Sequence, residues 1–307
     1  MTRRETHITN VIRSRGVAML LMILGSWMVL ATPGFDLLGL ADPASLVMTL
    51  LTGAAMIMAN RQFNLMRTTS LFFAGLFMVS CGATPTLFTS GIMPALLALT
   101  VMTAMWVMFS VYNERRSDRR IFLVFTLLSA GSLLSPVFLF YIPVFLIGLG
   151  QMRIFRFKKL LAALIGIATP WWIALGLGVV PLPRLPHIFF TPPSMILDNP
   201  GGWPFMATVA LTLVVGFLTG SVNLIRILGF NSRARAVNGL LSLTGIATGV
   251  LAMVNFTNLS TYVVLLNVCA AFQTGHFFRA TVNRRGYIFV LSLLASYAGL
   301  YIWSRLS

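Results

Sequence analysis

Acidic residues are scarce in this sequence. Of its 307 residues only six are Asp or Glu, against 22 Lys or Arg, and all charged residues together make up 9%. A soluble domain carries about 25% charged residues, so this composition excludes an ordinary water-soluble protein. The 58% hydrophobic content and the mean hydropathy of +0.90 predict instead an all-α, polytopic membrane protein.

Cysteine and the common catalytic motifs are also scarce or missing. The two cysteines, Cys81 and Cys269, each lie inside an apolar run, without the spacing of a disulfide framework or a C-x-x-C metal site. We expect both to be small core residues. No P-loop, G-x-S-x-G, H-E-x-x-H or Rossmann fingerprint occurs in the sequence. We therefore expect neither nucleotide hydrolysis by this chain nor a resident metal or cofactor.

The excess of basic residues gives a net charge of +16. A basic surface can bind nucleic acid, but here the Lys and Arg residues sit in short loops between apolar runs. In that position they set the orientation of membrane spans and contact anionic lipid headgroups. We therefore predict membrane lipids as partners and no nucleic acid.

The segment from Asn113 to Lys159 fixes the topology. About thirty apolar residues, 121–150, are flanked on both sides by basic sequence, N-E-R-R-S-D-R-R and R-I-F-R-F-K-K. Two basic flanks belong on the same side of a membrane, so the run must cross and return. The turn is expected at Ser135-Pro136, because proline removes a backbone donor. This predicts a short helical hairpin with arms of only about 22 Å each.

The whole chain is then a single integral membrane domain of about eleven helices. Twenty Lys and Arg fall in the inner loops and only Arg184 and Arg305 fall outside, which predicts a cytoplasmic N-terminus and a periplasmic C-terminus. A Pro-rich outer loop is predicted at 181–204, and a kink at Pro170. The predicted spans are 17–31, 44–59, 68–83, 92–112, the hairpin 121–150, 160–180, 205–224, 237–256, 259–278 and 287–303.

Two pairs of glycines have the spacing of a helix-crossing motif. They are Gly216 and Gly220 in one span, and Gly245 and Gly249 in the next. Small residues at this spacing let two membrane helices approach closely. We expect these pairs to mediate packing, the alternative being a chance occurrence in glycine-rich helices.

A few polar residues lie within the spans. Gln273 and His276 are the main pair, and ionisable residues inside a membrane are functional candidates. His276 is close to the predicted inner end of its span, so the favoured interpretation is that it reaches the membrane interface. Asn223, Asn255 and Asn267 are candidates for hydrogen bonds between helices.

The outer loops contain the remaining candidates for a site. Asp36, Asp42 and Asp198 are carboxylates that suit a divalent cation or a general base, while Arg184 and His187 suit a phosphate. The alternative is that these are ordinary solvent-facing residues, since the loops are far apart in sequence. Only their convergence on one cavity would make them a site.

The central region, residues 60–178, resembles an uncharacterised family of multi-pass inner-membrane proteins from Bacteroidetes. The similarity rests on N-R-Q-F-N, the basic loop before the hairpin, S-L-L-S-P-V-F-L-F-Y-I-P-V-F-L-I-G-L-G, R-I-F-R-F-K-K and L-I-G-I-A-T-P-W-W. It implies the inner membrane of a Gram-negative bacterium. It implies no known activity, so no catalytic residues are transferred from it.

The short-armed hairpin beside longer spans is also similar to membrane-embedded glycosyltransferases that use polyprenol-linked sugars. Those enzymes carry an essential acidic residue in the first outer loop, which is the location of Asp36 and Asp42 here. This chain departs from them in the shortness of that loop and in lacking a large extracytoplasmic region. The similarity is one of fold only.

Three functions fit these observations. The first is a structural or assembly component of the cell envelope that contacts envelope proteins. The second is a polyprenol-dependent glycosyltransferase acting on the outer face, with Asp36 or Asp42 as base or ligand of a divalent cation. The third is a transporter of a small molecule or lipid, in which Gln273 and His276 matter most.

Overall fold

The computed structural model is helical throughout the residues that it describes, 14–32, 34–65, 71–84, 86–89, 91–114, 116–178, 202–280 and 284–306. Eleven helices of eleven residues or more occur there, and each coincides with one predicted span or hairpin arm. They are α1 (Arg15–Leu30), α2 (Ala41–Phe63), α3 (Phe72–Gly82), α4 (Met93–Phe109), α5 (Asp118–Leu134), α6 (Tyr141–Gln151), α7 (Phe157–Gly176), α8 (Gly202–Ile227), α9 (Ser232–Val254), α10 (Leu259–Ala280) and α11 (Arg284–Leu306).

Helix length divides these elements into two groups. In the described part of the chain, six segments are long and apolar enough to cross a membrane, and they contain α2 and α7 to α11. By contrast α3 and α6 have 11 residues each, or about 16 Å of helix, against a hydrocarbon core of ~30 Å. The all-helical membrane architecture is therefore as predicted, while a full crossing by every one of the eleven helices is not shown.

The outer surface of the bundle is apolar. Large hydrophobic side chains are exposed on α1, α7, α8, α9 and α11, including Trp27, Leu164, Trp172, Phe217 and Ile302. Exposed apolar patches of this extent do not occur on soluble monomers. They are the surface that helices present to lipid, since lipid-facing helices satisfy their own backbone groups and need no polar exterior.

Helix α10 is the centre of the bundle. Its span is 78% buried, against 22 to 44% for the other long helices. Helices α3, α4, α8 and α9 pack around it. Every residue of the short helix α3 is buried as well, and the rings of Phe73 and Phe272 stack with their centroids 5.2 Å apart. A short helix is tolerated at this position because its ends are covered by protein rather than by lipid.

The predicted hairpin is present and turns at the predicted residues. Helix α5 ends at Leu134, Ser135 is extended (φ −148°, ψ 129°), and Pro136 starts a 3-10 turn that leads into α6. The two arms nevertheless contact each other only slightly. Helix α5 packs along α7, and α6 packs along α9. The hairpin thus connects two neighbouring parts of the bundle.

The α5–α7 pair surrounds the proline that was predicted to kink α7. Pro170 lies inside α7 and is buried. In the turn before it, the carbonyl oxygen of Ile167 accepts a 2.6 Å hydrogen bond from Ser129 Oγ, and Trp171 Nε1 donates to Ser132 Oγ at 3.1 Å. Helix α5 therefore donates a hydrogen bond to the carbonyl next to the one that Pro170 leaves without a helical donor, which is that of Gly166.

Both basic flanks of the hairpin lie at the same end of the bundle, as the charge pattern predicts. Lys158 Nζ is 3.1 Å from Asp118 Oδ2, and the buried Lys159 donates to Ser117 Oγ at 2.7 Å. These contacts join the start of α7 to the start of α5. They confirm that the apolar run folds back, so that both of its basic flanks lie at the same end of the bundle.

Other helix ends with basic neighbours meet at the same end. Phe63, the last residue of α2, contacts the ring of Phe109 at the end of α4, with centroids 5.7 Å apart, and the guanidinium of Arg233 lies 5.8 Å from the Phe63 ring. Phe72 at the start of α3 contacts Phe278 near the end of α10, at 5.4 Å. We call this the basic end of the bundle.

The predicted Pro-rich loop is shorter than expected at its C-terminal side. Helix α8 begins at Gly202, so residues 202–204 are helical rather than part of the loop. Pro204 is compatible with this because the first turn of a helix does not use its backbone N–H groups. The rest of that loop lies outside the described residues.

Candidate functional site

A cavity of about 580 Å³ opens between α8 and α9. Helix α10 forms its floor. Both predicted glycine pairs line it, Gly216 and Gly220 from α8, and Gly245 and Gly249 from α9. The glycine pattern was thus placed correctly on facing helices, but these residues border open space as well as a neighbouring helix. We call this cavity the groove.

The groove exists because α8 and α9 pack more extensively on α10 than on each other. A Cβ placed on Gly216 would lie 3.4 Å from Ala270 Cβ, and one on Gly245 would lie 3.3 Å from Cys269 Cβ. These are near ordinary contact distances, so both helices touch α10 through small residues. Gly249 faces only the end of a flexible leucine, at 3.4 Å. The glycines widen the groove without bringing two backbones together.

A neutral polar cluster marks one side of the groove. Asn223 Nδ2 donates to the Gln273 carbonyl oxygen at 2.7 Å and to Gln273 Oε1 at 2.9 Å. Gln273 Nε2 donates in turn to Ser242 Oγ at 3.0 Å. The cluster therefore joins α8, α10 and α9 beneath the groove, and it confirms Asn223 as an interhelical partner. Gln273 is only 6% exposed.

The side chains that line the groove are almost all apolar. Of the described residues that line it, none is Asp, Glu, His, Lys or Arg. Proton transfer and metal binding both need such groups. Apolar walls with one amide, Gln273, and two hydroxyls, Ser221 and Ser242, suit a long apolar ligand.

The other polar residues predicted within the spans mainly connect helices. Asn267 Nδ2 approaches Cys81 Sγ at 3.5 Å, joining α10 to α3, and Asn255 donates to the hydroxyl of Tyr262 at 3.1 Å. His276 is buried, with 6% of the residue exposed. Its predicted contact with the membrane interface stays a prediction.

The two cysteines are confirmed as buried, unpaired core residues. Cys81 belongs to α3, and Cys269 belongs to α10, where it also lines the groove. Their role is to fill space with small side chains.

The first outer loop brings two of the predicted acidic residues together. The backbone N–H of Asp36 donates to Asp42 Oδ2 at 3.0 Å, and that of Leu38 donates to Asp36 Oδ1 at 3.0 Å. Both carboxylates therefore hold the loop. The described residues contain no group of three or more His, Cys, Asp or Glu placed to hold a metal ion.

The remaining members of the predicted outer cluster, Arg184, His187 and Asp198, lie outside the described residues. Their convergence with Asp36 and Asp42 therefore stays a prediction. Among the candidate site residues that the structure describes, Gln273 lines the groove.

The groove itself is the feature that sequence reasoning missed. Its signal was present as two glycine pairs in consecutive spans with a polar residue near each, Asn223 after one pair and Ser242 before the other. That pattern does not say whether facing glycines close on each other or leave a gap, because a third helix decides their separation.

No protein-family model matches this sequence, and no curated protein or solved structure gives a significant match. The class of protein therefore rests on the fold and the groove alone. It is a polytopic helical membrane protein with an apolar groove that opens on its side.

Proposed function

We propose that this chain is a multi-pass protein of a bacterial inner membrane that binds a long-chain lipid in the groove and carries it within or across the bilayer. The groove is the observation that supports this proposal. Its rim is formed by side chains on the outer, apolar surface, among them Phe217, Leu218, Ile246 and Met253, all more than half exposed. A lipid chain can therefore enter sideways from the membrane without passing through water.

The size of the groove suits one lipid chain. Along α9 its lining extends from Ser242 to Met253, about 16 Å at 1.5 Å per residue. This is roughly half of a ~30 Å hydrocarbon core. The lipid chain would lie against the four glycines. The Gln273 cluster would lie beside the part of the lipid chain that is nearer the basic end of the bundle.

The orientation in the membrane follows from the basic end. Positively charged loops stay on the cytoplasmic side, so we propose a cytoplasmic N-terminus and a periplasmic C-terminus. The meeting of the helix ends at Phe63, Phe109 and Asp118 supports this, because the contacts there join elements that the charge pattern assigned to one side. The inner membrane is proposed from the resemblance to the Bacteroidetes family.

The test is to fill the groove. The Gly249→Leu variant places an isobutyl group against the end of Leu213, whereas Gly299→Leu places the same group in open space on α11, where nothing lies within 4 Å. Both proteins would be purified in a mild detergent, and the lipids that remain bound would be extracted and quantified by mass spectrometry. We expect Gly249→Leu to lose most of the bound lipid and Gly299→Leu to retain the wild-type amount.

Equal lipid content in all three proteins would overturn the lipid-binding proposal. The structural or assembly function would then be favoured, and it predicts instead an envelope protein that co-purifies with wild type and both variants alike.

A polyprenol-dependent glycosyltransferase is a second proposal, favoured by the convergence of Asp36 and Asp42 in one loop. A divalent cation would be needed only in this case. Lipid-linked sugars would be profiled by mass spectrometry in a deletion strain complemented with wild type or with the Asp36→Ala/Asp42→Ala double variant. Accumulation of an intermediate that only wild type clears supports the enzyme, and unchanged profiles exclude it.

A further inference from the structure

The basic end of α9 carries an arginine on the same face as the groove. Arg235 precedes Ser242 by seven residues, which is two helical turns or about 10 Å along the axis. Residues seven apart lie on one face of a helix, so Arg235 continues the line of Ser242 and Gly249. Its side chain is exposed.

The neighbouring arginines are engaged elsewhere. The guanidinium of Arg233 lies over the Phe63 ring at 5.8 Å, and that of Arg226 lies over the Phe277 ring at 5.6 Å. Arg235 has neither a ring contact nor an ion pair with any residue that the structure describes.

The acidic residues of the basic end are also engaged. Glu114 forms an ion pair with Arg120, and Asp118 forms one with Lys158. Within the described segments no carboxylate is therefore left there to neutralise Arg235, and an anion that binds beside it would meet an uncompensated positive charge.

We propose that the groove selects lipids whose headgroup carries a net negative charge, and that Arg235 binds the headgroup phosphate while the lipid chain occupies the groove. This rests on the lipid-binding function proposed above. In a zwitterionic headgroup such as phosphocholine the ammonium group already neutralises the phosphate, so the uncompensated arginine attracts it less. The planar guanidinium matches phosphate oxygens with paired hydrogen bonds. The headgroup lies about two turns from Ser242, at the basic end, and the chain runs from there past Gly249.

Because the lining of the groove is apolar, discrimination between lipid headgroups needs a charged residue such as Arg235. Lipid tails are as apolar as the groove, so moving a tail from bilayer to protein gains little hydrophobic free energy. Shape therefore accounts for retention of a chain, but it does not distinguish one headgroup from another. The uncompensated arginine on the groove face supplies that distinction.

The test uses the full chain in vesicles of equal parts phosphatidylglycerol and phosphatidylcholine. After extraction in mild detergent, the ratio of the two lipids bound to the protein is measured by mass spectrometry. We expect wild type to enrich phosphatidylglycerol over the bulk ratio. Arg235→Gln should lower that enrichment about tenfold or to the bulk ratio, since charged hydrogen bonds are the strong ones, and Arg235→Lys should retain part of it.

Arg233→Gln is the matched control, because it removes the same charge from the opposite face of α9, and we expect it to leave the ratio unchanged. If Arg235→Gln keeps the wild-type enrichment while Gly249→Leu still loses lipid, the headgroup inference is overturned and lipid binding stands. Equal losses in Arg233→Gln and Arg235→Gln would also overturn it, in favour of a general attraction by the basic end. Absence of bound lipid from wild type would overturn both proposals.

Discussion

Glycine has opposite roles in two regions of this bundle. Where α1 crosses α3, a Cβ on Gly25 would lie 2.5 Å from the backbone of Met78, and one on Gly82 would lie 2.8 Å from the carbonyl oxygen of Gly25. Where α8 faces α9, a Cβ on Gly220 or Gly249 would meet only side-chain atoms, at 3.8 and 3.4 Å. In the first region glycine lets two backbones touch, and in the second it leaves a space open.

The difference comes from the helix that packs against each glycine and not from the glycine itself. Helices α1 and α3 pack directly along each other, whereas α8 and α9 are each held by α10. A third helix between two walls fixes their separation, so small residues there enlarge a cavity instead of closing an interface. The same spacing of glycines in a sequence can therefore mark dense packing or a ligand groove.

The largest difference in stability is expected between two Gly→Ala variants, one in each of these two regions. Gly25→Ala must push α1 away from the Met78 backbone, and overpacking of this kind costs about 1–3 kcal/mol or more. Gly249→Ala meets only a flexible leucine and removes an unfavourable helix residue, so we expect it to be neutral or to stabilise by up to about 1 kcal/mol. Thermal unfolding in detergent measures both, and equal effects of the two changes would contradict the comparison.

The next effect concerns the polar cluster of the groove. Gln273→Leu removes one of the two acceptors of Asn223 and the donor to Ser242, while the bond from Asn223 to the backbone carbonyl of residue 273 is kept. We expect a loss of about 1–2 kcal/mol in the free energy of unfolding. A double-mutant cycle with Asn223→Leu measures the pair directly. If the two changes are additive, the cluster does not hold α8 to α10 in the way that the geometry indicates.

A smaller effect is expected where α5 packs against α7, outside the two regions compared above. Ser129→Ala removes the hydrogen bond to the Ile167 carbonyl in the turn before Pro170. Interhelical hydrogen bonds in membranes contribute about 0.6 kcal/mol on average, and we expect a loss of that order. Ser296→Ala is the control, because Ser296 bonds only within its own helix. An equal loss in both variants would show that the α5–α7 bond contributes nothing specific.

The smallest effect on stability is expected outside both regions, in the first outer loop. Asp42→Ala removes the acceptor for the Asp36 backbone N–H, at a cost of about 0.5 kcal/mol because the bond is exposed to solvent. Asp42→Asn retains an acceptor oxygen and should change stability less. Hydrogen exchange of the 35–40 backbone reports the local effect. Faster exchange in Asp42→Asn than in Asp42→Ala would contradict the role of this side chain as an acceptor.

Much of the fold could be predicted from local sequence. Apolar run length located the eleven long helices of the described residues, and Ser135-Pro136 located the turn of the hairpin. The basic flanks predicted that α5 and α7 start at the same end, which the Lys158–Asp118 ion pair confirms. These inferences succeed because helix formation and proline breaks depend on a few neighbouring residues. The position of a loop relative to the membrane depends on its own positive charge.

The candidate site was only partly predictable. Gln273 and Asn223 were identified because polar side chains inside a span need partners. Their actual partners, and the pairing of α5 with α7 in preference to α6, depend on contacts between residues distant in sequence. No local pattern carries that information.

The sequence by itself determined that this chain is a helical membrane protein with one strongly basic end, because apolar content and charge position are properties of the residues alone. Only the tertiary structure decided which glycines bring backbones together and which border the groove. The reason is geometric: the separation of α8 and α9 is fixed by α10 between them, so an opening lined by Gly220 and Gly249 exists only once all three helices are packed.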